Sequence, residues 1–310
     1  MGTSAVVFGY GDVGVRCLSV LLAHGIDVRL VFTYRDDPKE NVWFGSVERL
    51  ARDHGLDVVT PEGVDARAAE RVAGIAPDFV FSFFYRHMLP ASVLASARRG
   101  AYNMHGSLLP RFRGRAPVNW AVLHGARETG ATLHEMVAKP DAGGIVDQMA
   151  VPILPDDNAF DVFRKVLTAA EIVLDRSLPR LIDGSARATP QDLAAGSYFG
   201  GRRPEDGRID WTQGAQRIHD LVRAVAPPFP GAFTELAAGR LRVLRTRKLA
   251  ERAPAGAPLL AVDDSKRLVA RCADGGVLHL LECDLGGAPL RADNLRERLG
   301  RDALPLGESP

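Results

Sequence analysis

Ala5-Val6-Val7-Phe8-Gly9-Tyr10-Gly11-Asp12-Val13-Gly14 is a short apolar run that ends in closely spaced glycines. Four consecutive apolar residues bounded by a turn fit a strand buried on both faces, as in a parallel sheet. Helical spacing over residues 13–23 follows and stops near Gly25. Working outward, residues 28–32 form a second β run, 42–54 a helix, 58–59 a short strand, 65–75 a helix and 79–82 a fourth strand. Strands alternating with helices imply βαβ units and a mostly parallel, Rossmann-like sheet with helices on both faces. Gly9-x-Gly11-x-x-Gly14, with Asp36 and Asp37 about 20 residues further on, is also the pattern of a dinucleotide site. Any first βα turn favours small residues, so a NAD-dependent oxidoreductase is one alternative among several.

Beyond this half, residues 101–105 form a strand that runs into the loop 106–115. Residues 129–137 and 145–153 form a strand pair joined by the turn Lys139-Pro140-Asp141-Ala142-Gly143-Gly144. Phe163, Val166, Leu167, Ala170 and Leu174 lie on one helical face, with Asp157 or Asn158 placed to cap its start. Pro179 is expected to bend or end that helix. The division read from this pattern is a catalytic domain over 1–188, a polar, small-residue linker over 189–203, and a C-terminal OB-like β-barrel over 204–304. The barrel is expected from β runs at 232–236, 240–249, 259–262, 267–271 and 277–282.

The chain has 310 residues, enough for a substantial core, and is 46% hydrophobic. Its 39 Lys and Arg against 38 Asp and Glu supply no bulk positive field for a polyanion. Cys17, Cys272 and Cys283 are too few for a disulfide framework, and the first apolar run is too short for a secretory segment or a membrane span. These features place the protein in the cytoplasm, with no membrane insertion. The eight histidines show neither HExxH nor another ligand spacing, so no metal is inferred.

Tyr102-Asn103-Met104-His105-Gly106-Ser107-Leu108-Leu109-Pro110 carries the chemistry. On an extended strand Asn103 and His105 project to one side, at the strand end where open α/β sheets place ligands. An amide beside an imidazole suits a reaction through a negatively charged tetrahedral species: Asn holds the oxyanion and His moves the proton. An isolated N-x-H is equally a turn cap and a satisfied structural histidine. Asp141 would orient and tune the imidazole if folding brought it near, but spacing alone does not. Arg111, Arg113 and Arg115 are suited to grip a carboxylate or phosphate, or to be solvated loop arginines. His87 follows the run Phe83-Phe84-Tyr85, which would frame a flat ring or fill a core.

Asn103-x-His105-x-Ser107-Leu108-Leu109-Pro110, then Arg113-Gly114-x-x-Pro117, Thr129-Gly130 and Asp141-x-Gly143, resembles the folate-dependent formyltransferases, through almost the whole chain. Within that superfamily the sequence is most similar to the domains that formylate UDP-4-amino-4-deoxy-L-arabinose. Residues 81–87, Asn119-Trp120, 44–47, 199–203 and 223–226 carry that likeness, which implies lipid A modification and polymyxin resistance. The resemblance implies 10-formyltetrahydrofolate as formyl donor and no NAD or metal. It makes Asn103 the oxyanion holder, His105 the acid/base, and Asp141 the group that keeps His105 basic. Folate contacts are implied at His87, Met88, Leu89 and Arg115, and at Val137, Ala138, Lys139, Pro140 and Asp141. The family's Rossmann-like sheet needs no dinucleotide at its first turn, so Gly9–Gly14 becomes a matter of turn geometry.

Methionyl-tRNA formyltransferase is the nearest alternative. Its relatives carry a Lys/Arg-rich insertion after the second strand, whereas residues 33–49 here have Arg35, Lys39 and Arg49 against Asp36, Asp37, Glu40 and Glu48. Phosphate contacts dominate nucleic-acid affinity, so this charge argues against tRNA and for a nucleotide-sugar acceptor. A noncatalytic barrel module leaves Asn103, His105 and Asp141 unexplained.

Overall fold

A computed structural model describes residues 2–35 and 41–307. In chain order the elements are β1 (Ser4–Gly9), α1 (Gly11–Ala23), β2 (Asp27–Phe32), α2 (Val47–Asp53), β3 (Val58–Val59), α3 (Ala66–Ile75), β4 (Phe79–Phe83), α4 (Ala91–Ala95) and β5 (Gly100–His105). There follow β6 (Arg113–Gly114), α5 (Pro117–Leu123), β7 (Glu128–Glu135), β8 (Ile145–Pro152), α6 (Ala159–Asp183) and β9 (Tyr198–Phe199). The last stretch holds α7 (Ala215–Val225), β10 (Ala232–Leu236), β11 (Gly239–Arg252), β12 (Leu259–Val262), β13 (Leu268–Arg271), β14 (Gly276–Leu285), β15 (Ala288–Pro289), α8 (Leu295–Leu299) and β16 (Ala303–Pro305).

The chain forms two compact units. The first comprises Met1–Pro117, Glu128–Pro152 and Phe163–Gly200; the second comprises Val118–Arg127, Ile153–Val162 and Gly201–Pro310. The first unit is built on a sheet of order β3-β2-β1-β4-β5-β7-β8. Strands β1 to β5 pair in parallel, while β7 runs antiparallel to both β5 and β8. Ala5, Val6, Val7 and Phe8 are fully buried, as a strand covered by helices on both faces requires. Burying a Phe8-sized side chain contributes about 2–3 kcal/mol. The mostly parallel sheet expected from the sequence is therefore present. The second unit holds the antiparallel, curled, barrel-like sheet β10-β11-β14-β13-β12-β16, with α7 on a core that includes Trp211, Ile218, Val222, Leu241 and Leu278.

Local signals set most boundaries. Ser46 Oγ accepts from the Arg49 N–H at 3.2 Å, so α2 begins at Val47 rather than at Val42. Asp65 caps α3 through the Ala68 N–H at 2.8 Å. Asn158 Oδ1 accepts from the N–H groups of Phe160 and Asp161, and Asp161 Oδ2 accepts from the Asn158 N–H, a reciprocal cap at the start of α6. Pro179 does not end α6, which continues to Asp183. Val166, Ala170, Val173, Leu174, Leu178 and Leu181 are buried along one face, and this packing offsets the roughly 3 kcal/mol that proline costs inside a helix.

The glycine turn after β1 is packed by its own chain. Gly11 takes φ 60°, and a Cβ on Gly14 would lie 2.7 Å from Val47 Cγ2 and 3.1 Å from the Gly9 carbonyl carbon. The third glycine thus lets α1 close on β1 and α2. Asp12 Oδ1, in the first turn of α1, accepts from the Gly45 N–H at 2.7 Å. The acidic pair of the dinucleotide pattern, Asp36 and Asp37, lies outside the described residues.

Candidate active site

Strand β5 brings Asn103 and His105 to the end of the sheet, and antiparallel β7 lays His134 beside Asn103 in register. The turn after β7 then carries Asp141 back to the same place. His105 Nδ1 lies 3.6 Å from Asp141 Oδ1, and His134 Nε2 lies 3.5 Å from the same oxygen. Asn103 Nδ2 is 3.1 Å from His134 Nε2. The side chains of His105, His134 and Asp141 are 6%, 2% and 14% exposed, so their interactions act with little solvent screening.

Hydrogen bonds fix the ring tautomers. His105 Nε2 lies 2.9 Å from the carbonyl oxygen of Phe112, so this nitrogen carries a proton and Nδ1 presents its lone pair toward Asp141. His134 Nδ1 is 2.7 Å from the Glu135 carbonyl oxygen, which leaves Nε2 to accept from the Asn103 amide. Asp141 Oδ2 accepts from the Gly114 N–H at 2.8 Å.

Burial pushes the His105 imidazole below its ordinary pKa, and this outweighs the upward pull of Asp141 and of the Phe112 carbonyl. Burial acts to raise Asp141 as well. There the charge of His105, the neighbouring His134 ring and the Gly114 N–H win, and hold the carboxyl well below the usual range. At neutral pH the arrangement is a neutral imidazole facing a carboxylate. Asp141 pulls the His105 pKa upward, but the net shift is downward.

These groups open into a cavity of about 470 Å³. Asn103, His105, His134 and Asp141 line it, as do His87, Met88, Leu89, Arg115, Val137 and Pro140; Ala138 and Lys139 are exposed and do not. The three loop arginines separate. Arg115 lines the cavity, Arg111 lies over the Phe112 ring at 5.4 Å, and buried Arg113 turns inward to donate to the Leu193 carbonyl at 3.4 Å. His87 is oriented by Tyr34, whose hydroxyl lies 2.8 Å from His87 Nδ1 and whose ring stacks on Tyr85 at 4.5 Å.

The sequence reading passed over His134 and Tyr34. The available signal for His134 was its place on a strand predicted next to the N-x-H strand; Tyr34 had only its position at the end of β2, where α/β sheets gather ligand-binding groups.

The sequence profile described as Formyl transferase matches residues 4–178, and that described as Formyl transferase, C-terminal domain matches residues 202–298. The chain belongs to the formyl transferase family. This formyltransferase is similar in fold to the N-formyltransferase of Helicobacter canadensis, solved with folinic acid and dTDP-3-aminofucose (TM-score 0.72, 19% identity, covering 90% of this chain and 99% of that one). It is also similar to WlaRD, a sugar 3N-formyltransferase solved in the presence of dTDP and 5-N-formyl-THF (TM-score 0.71, 18% identity, 90% and 97% covered). A third likeness is to HypX of Aquifex aeolicus in complex with tetrahydrofolic acid, of which this chain covers 47% (TM-score 0.62, 18% identity, 95% of this chain). Among the described residues of the formyltransferase, no helix is long and apolar enough to cross a membrane, and no group of three or more His, Cys, Asp and Glu is arranged to hold a metal ion.

Proposed function

We propose that this formyltransferase moves a formyl group from 10-formyltetrahydrofolate to the primary amine of a nucleotide-linked amino sugar, with UDP-4-amino-4-deoxy-L-arabinose as the acceptor its sequence favours. One observation carries the reading: Asn103, His105 and Asp141 meet at a cavity that also has His87, Met88, Leu89 and Arg115 in its wall. About 470 Å³ lies within the usual range for small-molecule sites. Phe84, Leu94 and Val137 offer apolar surface for a flat ring, and exposed Arg115 suits an anionic tail.

The donor supplies an activated one-carbon carbonyl; the chain's residues do the rest. The second N–H of the Asn103 amide, not used by His134, is available to the carbonyl oxygen as it gains charge. His105 Nδ1 takes the proton that the amine sheds as its nitrogen bonds to the formyl carbon. The resulting imidazolium faces Asp141, which stabilises it until the proton passes to the departing folate nitrogen. The C–N bond to the carrier breaks, leaving an N-formyl sugar and tetrahydrofolate. No net proton or electron is left over.

The near-balanced charge of residues 33–49 supports a small acceptor over tRNA. The test supplies 10-formyltetrahydrofolate with UDP-4-amino-4-deoxy-L-arabinose, dTDP-amino sugars and methionyl-tRNA in parallel, and weighs each product by mass spectrometry. A gain of one formyl group on a sugar nucleotide alone is expected. Formylation of methionyl-tRNA alone would overturn the proposal.

A further inference from the structure

Phe112, whose carbonyl meets His105, and Asp141 itself sit in the left-handed region of backbone space, at φ 55° and φ 50°. Non-glycine residues stay there only where their surroundings hold them. Each is held by one side chain from the stretch 191–197. The Phe112 N–H donates to Ser197 Oγ at 2.8 Å. Gln191 Nε2 donates to the carbonyl oxygens of Asp141, at 3.0 Å, and of Gly143, at 2.6 Å.

The main chain extends the grip. Strand β9 pairs with β6, so that the Arg113 N–H donates to the Ser197 carbonyl and the Arg115 N–H to the Phe199 carbonyl, each at 3.0 Å. The Phe112 and Phe199 rings stack 5.8 Å apart. The segment held in this way supplies the two main-chain groups that touch the pair: the Phe112 carbonyl on His105 Nε2 and the Gly114 N–H on Asp141 Oδ2.

We propose that Gln191 and Ser197 are positioning residues for formyl transfer, bracing the Phe112 and Asp141 backbones and so fixing which ring nitrogen of His105 faces the carboxylate. This rests on the roles given to His105 and Asp141 above. The brace acts through geometry: loss of Ser197 takes the side-chain acceptor from the Phe112 N–H, and loss of Gln191 takes the side-chain donor from the Asp141 and Gly143 carbonyls, while Ser107 Oγ still donates to the Arg111 carbonyl at 2.6 Å.

Nitrogen-15 NMR of histidine-labelled full chain, with His105 assigned by its loss in His105→Gln, reads the ring without any substrate. Steady-state formyl transfer reads its use. Ser197→Ala should let His105 sample both tautomers and lower kcat about tenfold, with KM changed by less than about twofold. The groups facing His105 are Asp141, His134 and the Phe112 carbonyl. Only the last is disturbed, and because it favours the protonated ring, the imidazole midpoint should fall. Ser197→Thr keeps the acceptor oxygen and should restore all three readouts. Unchanged ring signals and wild-type kcat in folded Ser197→Ala would overturn the proposal. If Ser197→Ala does not fold, Gln191→Met decides: about a tenfold loss of kcat supports the brace, and wild-type kcat removes it. A chain that transferred no formyl group at all would sink the parent reading, while the ring signals would still decide the brace.

Discussion

His105 offers its two ring nitrogens to two different oxygens, Nε2 to the Phe112 carbonyl at 2.9 Å and Nδ1 toward Asp141 at 3.6 Å. The first contact is a hydrogen bond and the second is somewhat long for one. The ring is thereby anchored on one side and left able to accept a proton on the other.

Replacing His105 by Ala should lower kcat by about a thousandfold in a chain that still folds, its thermal transition lowered by the loss of a buried, hydrogen-bonded ring. Formyl transfer followed by mass spectrometry, with calorimetry on the same sample, checks both halves.

The depressed imidazole has a kinetic signature. A base that binds its proton less tightly than free imidazole is in its working form at lower pH. Turnover should therefore rise with pH with a midpoint below the ordinary value of about 6.5. A kcat–pH profile whose acid limb has its midpoint above that value would contradict the burial argument.

Asp141→Asn keeps an oxygen for the Gly114 N–H but removes the charge. The acid limb should move to still lower pH, because the carboxylate raises the His105 pKa, and kcat should fall about a hundredfold as the imidazolium loses its partner. The same variant reports on stability. Folded Asp141 has a lower pKa than in the unfolded chain, so its contribution is in place above about pH 3.9 and is lost as pH falls below that value. The thermal transition of Asp141→Asn should be less steeply acid-sensitive than that of the parent over that range.

His134 holds the Asn103 amide through its Nε2. His134→Phe, which fills the space but accepts no hydrogen bond, should reduce kcat about tenfold with little change in KM for the folate, and His134→Gln should recover part of the loss. Equal rates in all three proteins would mean that Asn103 needs no such support.

Gly14→Ala tests the reading of the glycine turn. The new methyl group meets Val47 and the Gly9 backbone, which should cost about 1–3 kcal/mol in stability. Formyl transfer by the folded fraction should persist. Saturable quenching or enhancement of NADH fluorescence at micromolar concentration would instead point to a dinucleotide at this turn.

Much of the fold could be read in the sequence because parallel strands buried on both faces appear as unbroken apolar runs, and because Asn158 marks a helix start by chemistry that operates locally. Helices α4 and α5, at five and seven residues, are too short to show a period. Pro179 misled because helix propensity was weighed without the buried face that overrides it. Asn103 and His105 were legible from alternation on one strand. His134 was not, since its importance comes from the pairing of β7 with β5, and register is a property of two segments rather than of one. Gln191 and Ser197 were hidden for a related reason. Small polar residues that hydrogen-bond distant backbone have the same composition as those that only span a gap.

The late position of Gln191 and Ser197 in the chain also bears on synthesis. A ribosome delivers Asn103, His105 and Asp141 before the residues that clasp their loops, and Gln191 and Ser197 emerge some 50 positions after Asp141. A nascent polypeptide halted after β8 would own every strand of the central sheet yet hold its imidazole loosely. Chemical competence should consequently arrive late in translation, as a separate event from the closing of the core.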